Sequence, residues 1–356
     1  MLLNIPSRRF QNIAASVLLI GIIGVFYATI PYYQNYFAQT TPWAGQMVRH
    51  WDVLLTVTLA YTSILIVYYL FEKAPQPSKS VAALSAIQRY ASSPIHSWRT
   101  GLTVEERLGL LSVLLKGFFA PLMIVWLFDH TAMLIMNAQA LLDIWQTTAS
   151  WHAFVGADTY WFVFRLIVFV DVLFFTLGYL IELPILKNAI RSVDPTLLGW
   201  GVALACYPPF NGITSSIFGW HSTEFPQYLN YPAIHIVANL TLLGLMAIYS
   251  WSSLALNFKA SNLTHRGIVS CGPYRWVRHP AYACKNLAWW IGLGPALIIG
   301  ADTGWAETLL ILGSMLGWSV IYYMRAATEE DHLRSVDSAY DQYCQKVRYR
   351  FIPFVV

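Results

Sequence analysis

Charge is what this sequence has least of. Asp, Glu, Lys and Arg together make up 11% of its 356 residues, against 57% apolar residues. A soluble domain carries roughly a quarter charged residues, and a globule of this size cannot cover itself with so few. The deficit excludes an ordinary water-soluble enzyme and leaves lipid as the surface. Cysteine is scarce too: Cys206, Cys271, Cys284 and Cys344 show no CxxC spacing, which argues against a disulfide framework or a structural zinc site. The nine histidines form no HExxH pair, so no metal is expected. A net charge of only +4 gives no reason to expect nucleic acid. Internal repeats and low-complexity tracts are absent.

Long apolar runs are what the chain has in their place, with 15 Trp and 21 Tyr of the kind that gather where bilayer meets water. A hydrocarbon core of about 30 Å needs roughly 20 apolar residues per helix. By that measure spans fall near 13–31, 52–71, 108–128, 160–184, 231–256 and 304–324, with weaker ones near 197–210 and 280–300. The expected fold is an all-α polytopic membrane protein of about eight transmembrane helices. The run from Ile13 to Ile30 follows Arg8 and Arg9 but no cleavage motif follows it, so it reads as a first span rather than a signal peptide. Segment 197–210 ends in Tyr207-Pro208-Pro209-Phe210, which predicts a broken or re-entrant crossing. Loop 72–107 predicts a surface linker with a short amphipathic helix near 80–90.

With the N-terminus in the cytosol, most of the 22 basic residues fall on inside segments, and loop 129–159 outside holds three Asp and no Lys or Arg. That bias orients both termini to the cytosol. Chemistry-bearing residues then gather in two inside segments. The first, 257–286, holds Gly267, Gly272, Pro273, Arg266, Arg275, Arg278 and His279, with Pro280 opening a helix. The second, 325–353, places Arg325 and Glu329 four residues apart, on one helical face. Juxtamembrane basic residues commonly anchor helices and attract anionic lipid, and exposed Arg–Glu pairs contribute little. One helical hairpin separates the two segments, however, so they return to the same side and should meet. The division expected is residues 1–256, about six spans of unassigned role, and 257–356, a catalytic core with a cytosolic loop and tail.

The run GIVSCGPYRWVRHPAY, then a hairpin, then RAATEEDHL…YDQYCQKVRYRFIPF, resembles the C-terminal core of the isoprenylcysteine carboxyl methyltransferase family and its phospholipid methyltransferase relatives. The resemblance covers about 257–356. It implies S-adenosylmethionine as cofactor and a membrane lipid or lipidated acceptor, with a carboxylate oxygen favoured over an amine. Carried over residue by residue, Arg266, Gly267, Ile268 and Val269 lie where that family's chain runs along the cofactor. Tyr274, His279, Pro280, Ala281 and Tyr282 match its other cofactor contacts, and Arg325 and Glu329 match the pair facing the methyl acceptor.

The sequence departs from that pattern after Tyr282, where Ala283, Cys284, Lys285 and Asn286 stand in a stretch that usually holds a small Gly. Lys285 either snorkels to the interface or meets an anionic head group. Two other classes compete. The ending YCxxVxYRxxP also resembles NADPH-dependent membrane sterol reductases, though Ala281 stands where they have Asn. The chain could also handle lipids or ions without catalysis, with Asp171, Arg165, Glu182, His235 and Asn239 lining a path; Arg165, Asp171 and Glu182 more often pair and hold helices together. The sequence leaves the oligomeric state open.

Overall fold

The computed structural model describes residues 5–148, 156–228 and 231–355. It is built from helices, with two two-stranded ladders of a few residues each. Six helices are long and apolar enough to cross a bilayer, and they coincide with the six strong runs of the sequence. They are α1 (Ile5–Thr29), α3 (His50–Phe71), α6 (Val104–Thr148), α7 (Ala157–Leu180), α10 (Pro232–Leu256) and α13 (Trp305–Val336). The chain is a multi-pass membrane protein. Between α1 and α3, α2 (Pro31–Phe37) and a hairpin of β1 (Thr40–Trp43) and β2 (Gln46–Arg49) turn the chain round.

The linker after α3 does contain a helix, α4 (Lys79–Ser92), whose start is capped by the Ser78 hydroxyl accepting from the Val81 amide. Ala83 and Ala86 on its inner face are completely buried. Small residues let it lie tight against α6, where a Cβ on Gly109 would stand 2.7 Å from the Lys79 carbonyl. A short α5 (Pro94–Thr100) follows.

Loop 129–159 is corrected by the structure, because α6 continues unbroken to Thr148; residues 149–155 lie outside the described residues. At 1.5 Å per residue its 45 residues reach about 67 Å, more than twice the bilayer core. The stretch past Asp129 is rich in Ala, Leu, Met and Gln, good helix formers without Pro or Gly to stop them.

Where the two weaker crossings were expected, pairs of short helices stand. Segment 197–218 is α8 (Leu197–Leu204) and α9 (Phe210–Phe218), broken at the two prolines as their missing amides require. Val202 and Ala203 of α8 lie beside Thr328 and Glu329. Beyond α9, the Gly219 carbonyl accepts from Ser314 at 3.1 Å and Trp318 at 2.9 Å. Ser314 and Thr328 are separated by about 20 Å of helix, so the broken pair covers much of the bilayer depth. Segment 280–303 is α11 (Pro280–Gly292) followed directly by α12 (Gly294–Thr303), and α13 returns beside both.

Several charged groups inside the bundle are partnered, as their cost in lipid favours. Glu182 takes Lys79 and Lys116, the latter at 3.0 Å. Asp171 accepts from Tyr249 at 2.6 Å and from Ser253. Arg165 lies over the rings of Trp161 and Phe164. Asp171 and Glu182 thus tie separate helices together, as expected, whereas the ring contacts of Arg165 stay within α7. The Lys285 ammonium sits over the rings of Tyr249 and Trp289 at 5.1 and 5.8 Å.

Candidate functional site

The site is assembled by the loop after α10. Asn257, in a left-handed conformation, ends α10, and the chain folds back against α7. The approach is close: a Cβ on Gly178 would stand 1.9 Å from the Ala260 carbonyl oxygen, so only glycine fits there. The loop is fixed two residues on, where both the backbone amide and the side-chain amide of Asn262 donate to the Tyr179 hydroxyl at 2.8 Å. A two-residue ladder then joins β3 (Ser192–Val193) to β4 (Thr264–His265), bringing Asp194 beside Leu263, to whose carbonyl its amide donates at 2.8 Å.

Against this platform lies the end of α13. Arg325, Glu329 and His332 recur at helical spacing and share one face with Thr328. Together with Asp194, Asn262, Thr264 and Tyr282 they line a narrow cleft. Arg325 is buried and donates to the Asn262 carboxamide oxygen at 2.8 Å. Its guanidinium lies over the rings of Tyr282, at 5.0 Å, and Tyr322, at 5.2 Å, a geometry that favours a planar cation. Glu329 is more open and accepts from the Tyr282 hydroxyl at 2.9 Å. Asp194 is held by Thr196, whose amide and hydroxyl both donate to it. Ser192 lies 3.1 Å from His332 Nε2, while the buried Nδ1 of that ring meets no protein partner.

Behind the cleft a second cluster ties the tail down. Glu330 is completely buried. It accepts from Arg278 at 2.9 Å, His279 at 3.1 Å, Arg334 at 3.0 Å and Arg350 at 2.9 Å. Backbone bonds run alongside, from the Arg278 amide to the Tyr349 carbonyl and from the His279 amide to the Arg350 carbonyl. Charged donors converging on one carboxylate make a strong junction. Below it, α14 (Ala339–Lys346) packs Tyr340, Tyr343 and Val347 against Ile268.

Of the residues singled out in the sequence, Tyr282, Arg325 and Glu329 meet in the cleft. His279 stands directly behind, its ring stacked on Tyr282 at 5.5 Å, but its Nε2 is committed to Glu330. Pro280 and Ala281 form the first turn of α11. Tyr274 is held by its carbonyl, which accepts from the Tyr343 hydroxyl at 2.7 Å. The stretch Arg266–Val269 does not line the cleft. Arg266 turns inward to the Asn188 carbonyl at 2.9 Å, and burial pushes its pKa down. Ile268 faces the tail. Gly267 turns the chain with a positive φ of 96°.

Among the cleft residues that escaped the sequence reading are Asp194, Asn262, Thr264 and His332. His332 was within reach, since it stands one turn beyond Glu329 on the same face. The others come together only through the pairing of β3 with β4, which no local pattern announces.

A family model described as a protein of unknown function, DUF1295, matches residues 221–347. The match takes in α10, the segment 257–286, the hairpin and the second segment as far as Val347, and leaves out Asp194 and Arg350. No solved structure matches the chain.

Proposed function

We propose that this protein transfers a methyl group from S-adenosylmethionine to a membrane-borne amphiphile, with a carboxylate oxygen as the favoured acceptor atom. The observation that carries this reading is the charge of the cleft. Two carboxylates, Asp194 and Glu329, line it with a single guanidinium, Arg325, which lies over the rings of Tyr282 and Tyr322. An acidic, aromatic-edged cleft complements a ligand that is cationic at sulfur. The several phosphates of NADPH would meet the same two carboxylates, which disfavours the reductase alternative.

When bound, the donor supplies a methyl already activated as a sulfonium, so that the new bond forms as the carbon–sulfur bond breaks and its electron pair returns to sulfur. A carboxylate acceptor is ionised at neutral pH and needs no base. What remains for the chain is alignment and exclusion of water, which can supply several kcal/mol of the barrier. Arg325, locked by Asn262 and two rings, would hold the acceptor's anionic group. Glu329 and Tyr282 would fix the opposite side of the cleft, and Glu329 would take the proton if the acceptor were an amine. The cleft is narrow as it stands, so ligand entry must part the 262–264 loop from α13.

In this reading the chain crosses the bilayer eight times, counting 197–218 and 280–303, and both termini and the cleft face the cytosol, as the loop charge requires. The experiment is label transfer. Membranes containing the protein are incubated with methyl-tritiated S-adenosylmethionine, and lipid extracts are treated with base. Label that enters the lipid and is released by base as methanol supports carboxyl methylation. Label stable to base points to an amine acceptor. No label over membranes lacking the protein contradicts the reading.

A further inference from the structure

On the far side of β4 from the cleft, two cations converge on one glycine. The point where a Cβ would stand on Gly267 lies 3.4 Å from Arg191 Nη2 and 3.5 Å from Lys259 Nζ, which puts the two charges within about 7 Å of each other. Two like charges this close attract an anion to the space between them. Among the described residues, neither side chain has a hydrogen-bond acceptor or an acidic partner within 4 Å. The carboxylate nearest to hand, Asp337, is taken: one oxygen lies 3.0 Å from His265 Nε2 and the other accepts from the Ala339 amide. Across the strand Glu182 is likewise occupied by two lysines and the Ile190 amide.

The backbone at this corner is also uncommitted. The amides of Gly267, Ile268 and Val269 donate to no protein acceptor among the described residues. Positive φ at Gly267 leaves its surface bare of side chain, so an anion can approach the main chain closely.

The surroundings carry residues of the kind enriched where bilayer meets water. Trp251 and Trp276, both exposed, pack edge to face at 5.5 Å beside Gly272, as interfacial tryptophans do. Lys259 lies in the short turn just past the end of α10. On the other wall, the segment bearing Arg191 carries Ile185 and Leu197, 86% and 91% exposed. Apolar side chains so open are compatible with lipid beside this segment.

We infer that Arg191, Lys259 and the bare amides at Gly267 form a binding site for the phosphate of an anionic phospholipid head group. The inference is independent of the methyltransferase reading, and it gives Gly267 to a head group rather than to the cofactor. A bound lipid here would hold the β3–β4 ladder and the Asn262 loop at the bilayer surface.

The test uses the full chain in detergent, with native mass spectrometry reading how many lipids stay bound. Dioleoylphosphatidylglycerol is the probe, with dioleoylphosphatidylcholine and inorganic phosphate as comparators. One phosphatidylglycerol retained over phosphatidylcholine is expected, with affinity falling about tenfold or more in an Arg191→Gln/Lys259→Gln variant. A Lys346→Gln/Arg348→Gln variant, which removes two exposed charges of the tail, should bind as the parent does. Equal retention by the Arg191/Lys259 variant overturns the site. Inorganic phosphate displacing the lipid at equal concentration assigns the corner to a soluble anion and overturns the head group. Should the double variant melt early, Lys259→Gln alone decides: undiminished lipid binding overturns the site, and weakened binding upholds it.

Discussion

The Tyr282 hydroxyl donates to Glu329 Oε2 across 2.9 Å, joining the first turn of α11 to the end of α13. The same ring flanks Arg325 at 5.0 Å, so one side chain touches both residues of the proposed acceptor pair. Tyr282→Phe keeps the ring and removes the hydroxyl. It should lower methyl transfer about tenfold while leaving the melting temperature in detergent unchanged. Glu329→Gln should cut deeper, about a hundredfold, if Glu329 takes a proton from an amine, and far less if the acceptor is a carboxylate. Rates of tritium transfer in membranes measure both.

Gly178→Ala tests how the site loop is held from a distance. A methyl there would overlap the Ala260 carbonyl, and a backbone atom cannot swing aside as a side-chain tip can. The loop must shift, loosening the Asn262–Tyr179 and Asn262–Arg325 bonds. The expected cost is about 1–3 kcal/mol of stability, read as a lower melting temperature, with activity falling together with it although residue 178 touches no ligand.

Glu330 is a fold-holding residue beside the cleft. Glu330→Ala would leave Arg278, His279 and Arg350 facing a buried gap where each now donates to the carboxylate. Breaking such a junction costs about 3–5 kcal/mol. The tail should then become sensitive to limited proteolysis past residue 346, whereas Glu329→Gln should leave it resistant. His279 belongs to the same junction, so its substitution would report on folding before it reported on ligand.

His265 gives the protein a pH dependence. Burial lowers its pKa below the ordinary histidine value of 6.5, helped by Arg191 and Lys259 and opposed by Asp337. The unfolded chain therefore takes up a proton more readily than the folded one, and stability falls as pH drops below about 6.5. Melting temperature should decline between pH 7.5 and 5.5, and His265→Gln should flatten that decline. An equal decline in the variant would remove His265 as its source.

The spans were legible because lipid imposes a rule that sequence carries directly: about twenty apolar residues in a row. The placing of Arg325 and Glu329 on one face was legible for a similar reason, since helical periodicity fixes which residues share a face. The extension of α6 past Asp129 was hidden by its polar residues, which resemble a loop in composition although none breaks a helix. The neighbours of Arg266 were hidden for a different reason. Its run matched a cofactor-binding stretch, yet its side chain turns inward to Asn188, a consequence of strand alternation and of a ladder whose two strands stand about 70 residues apart.

The most direct measurement is calorimetric titration of the detergent-purified protein with S-adenosylmethionine, beside NADPH and a Tyr282→Phe, Glu329→Gln double variant. Saturable binding of S-adenosylmethionine to the parent, weakened in the variant, with no heat from NADPH, is the predicted result. Folded protein that ignores S-adenosylmethionine, or that binds NADPH in its place, would contradict the account.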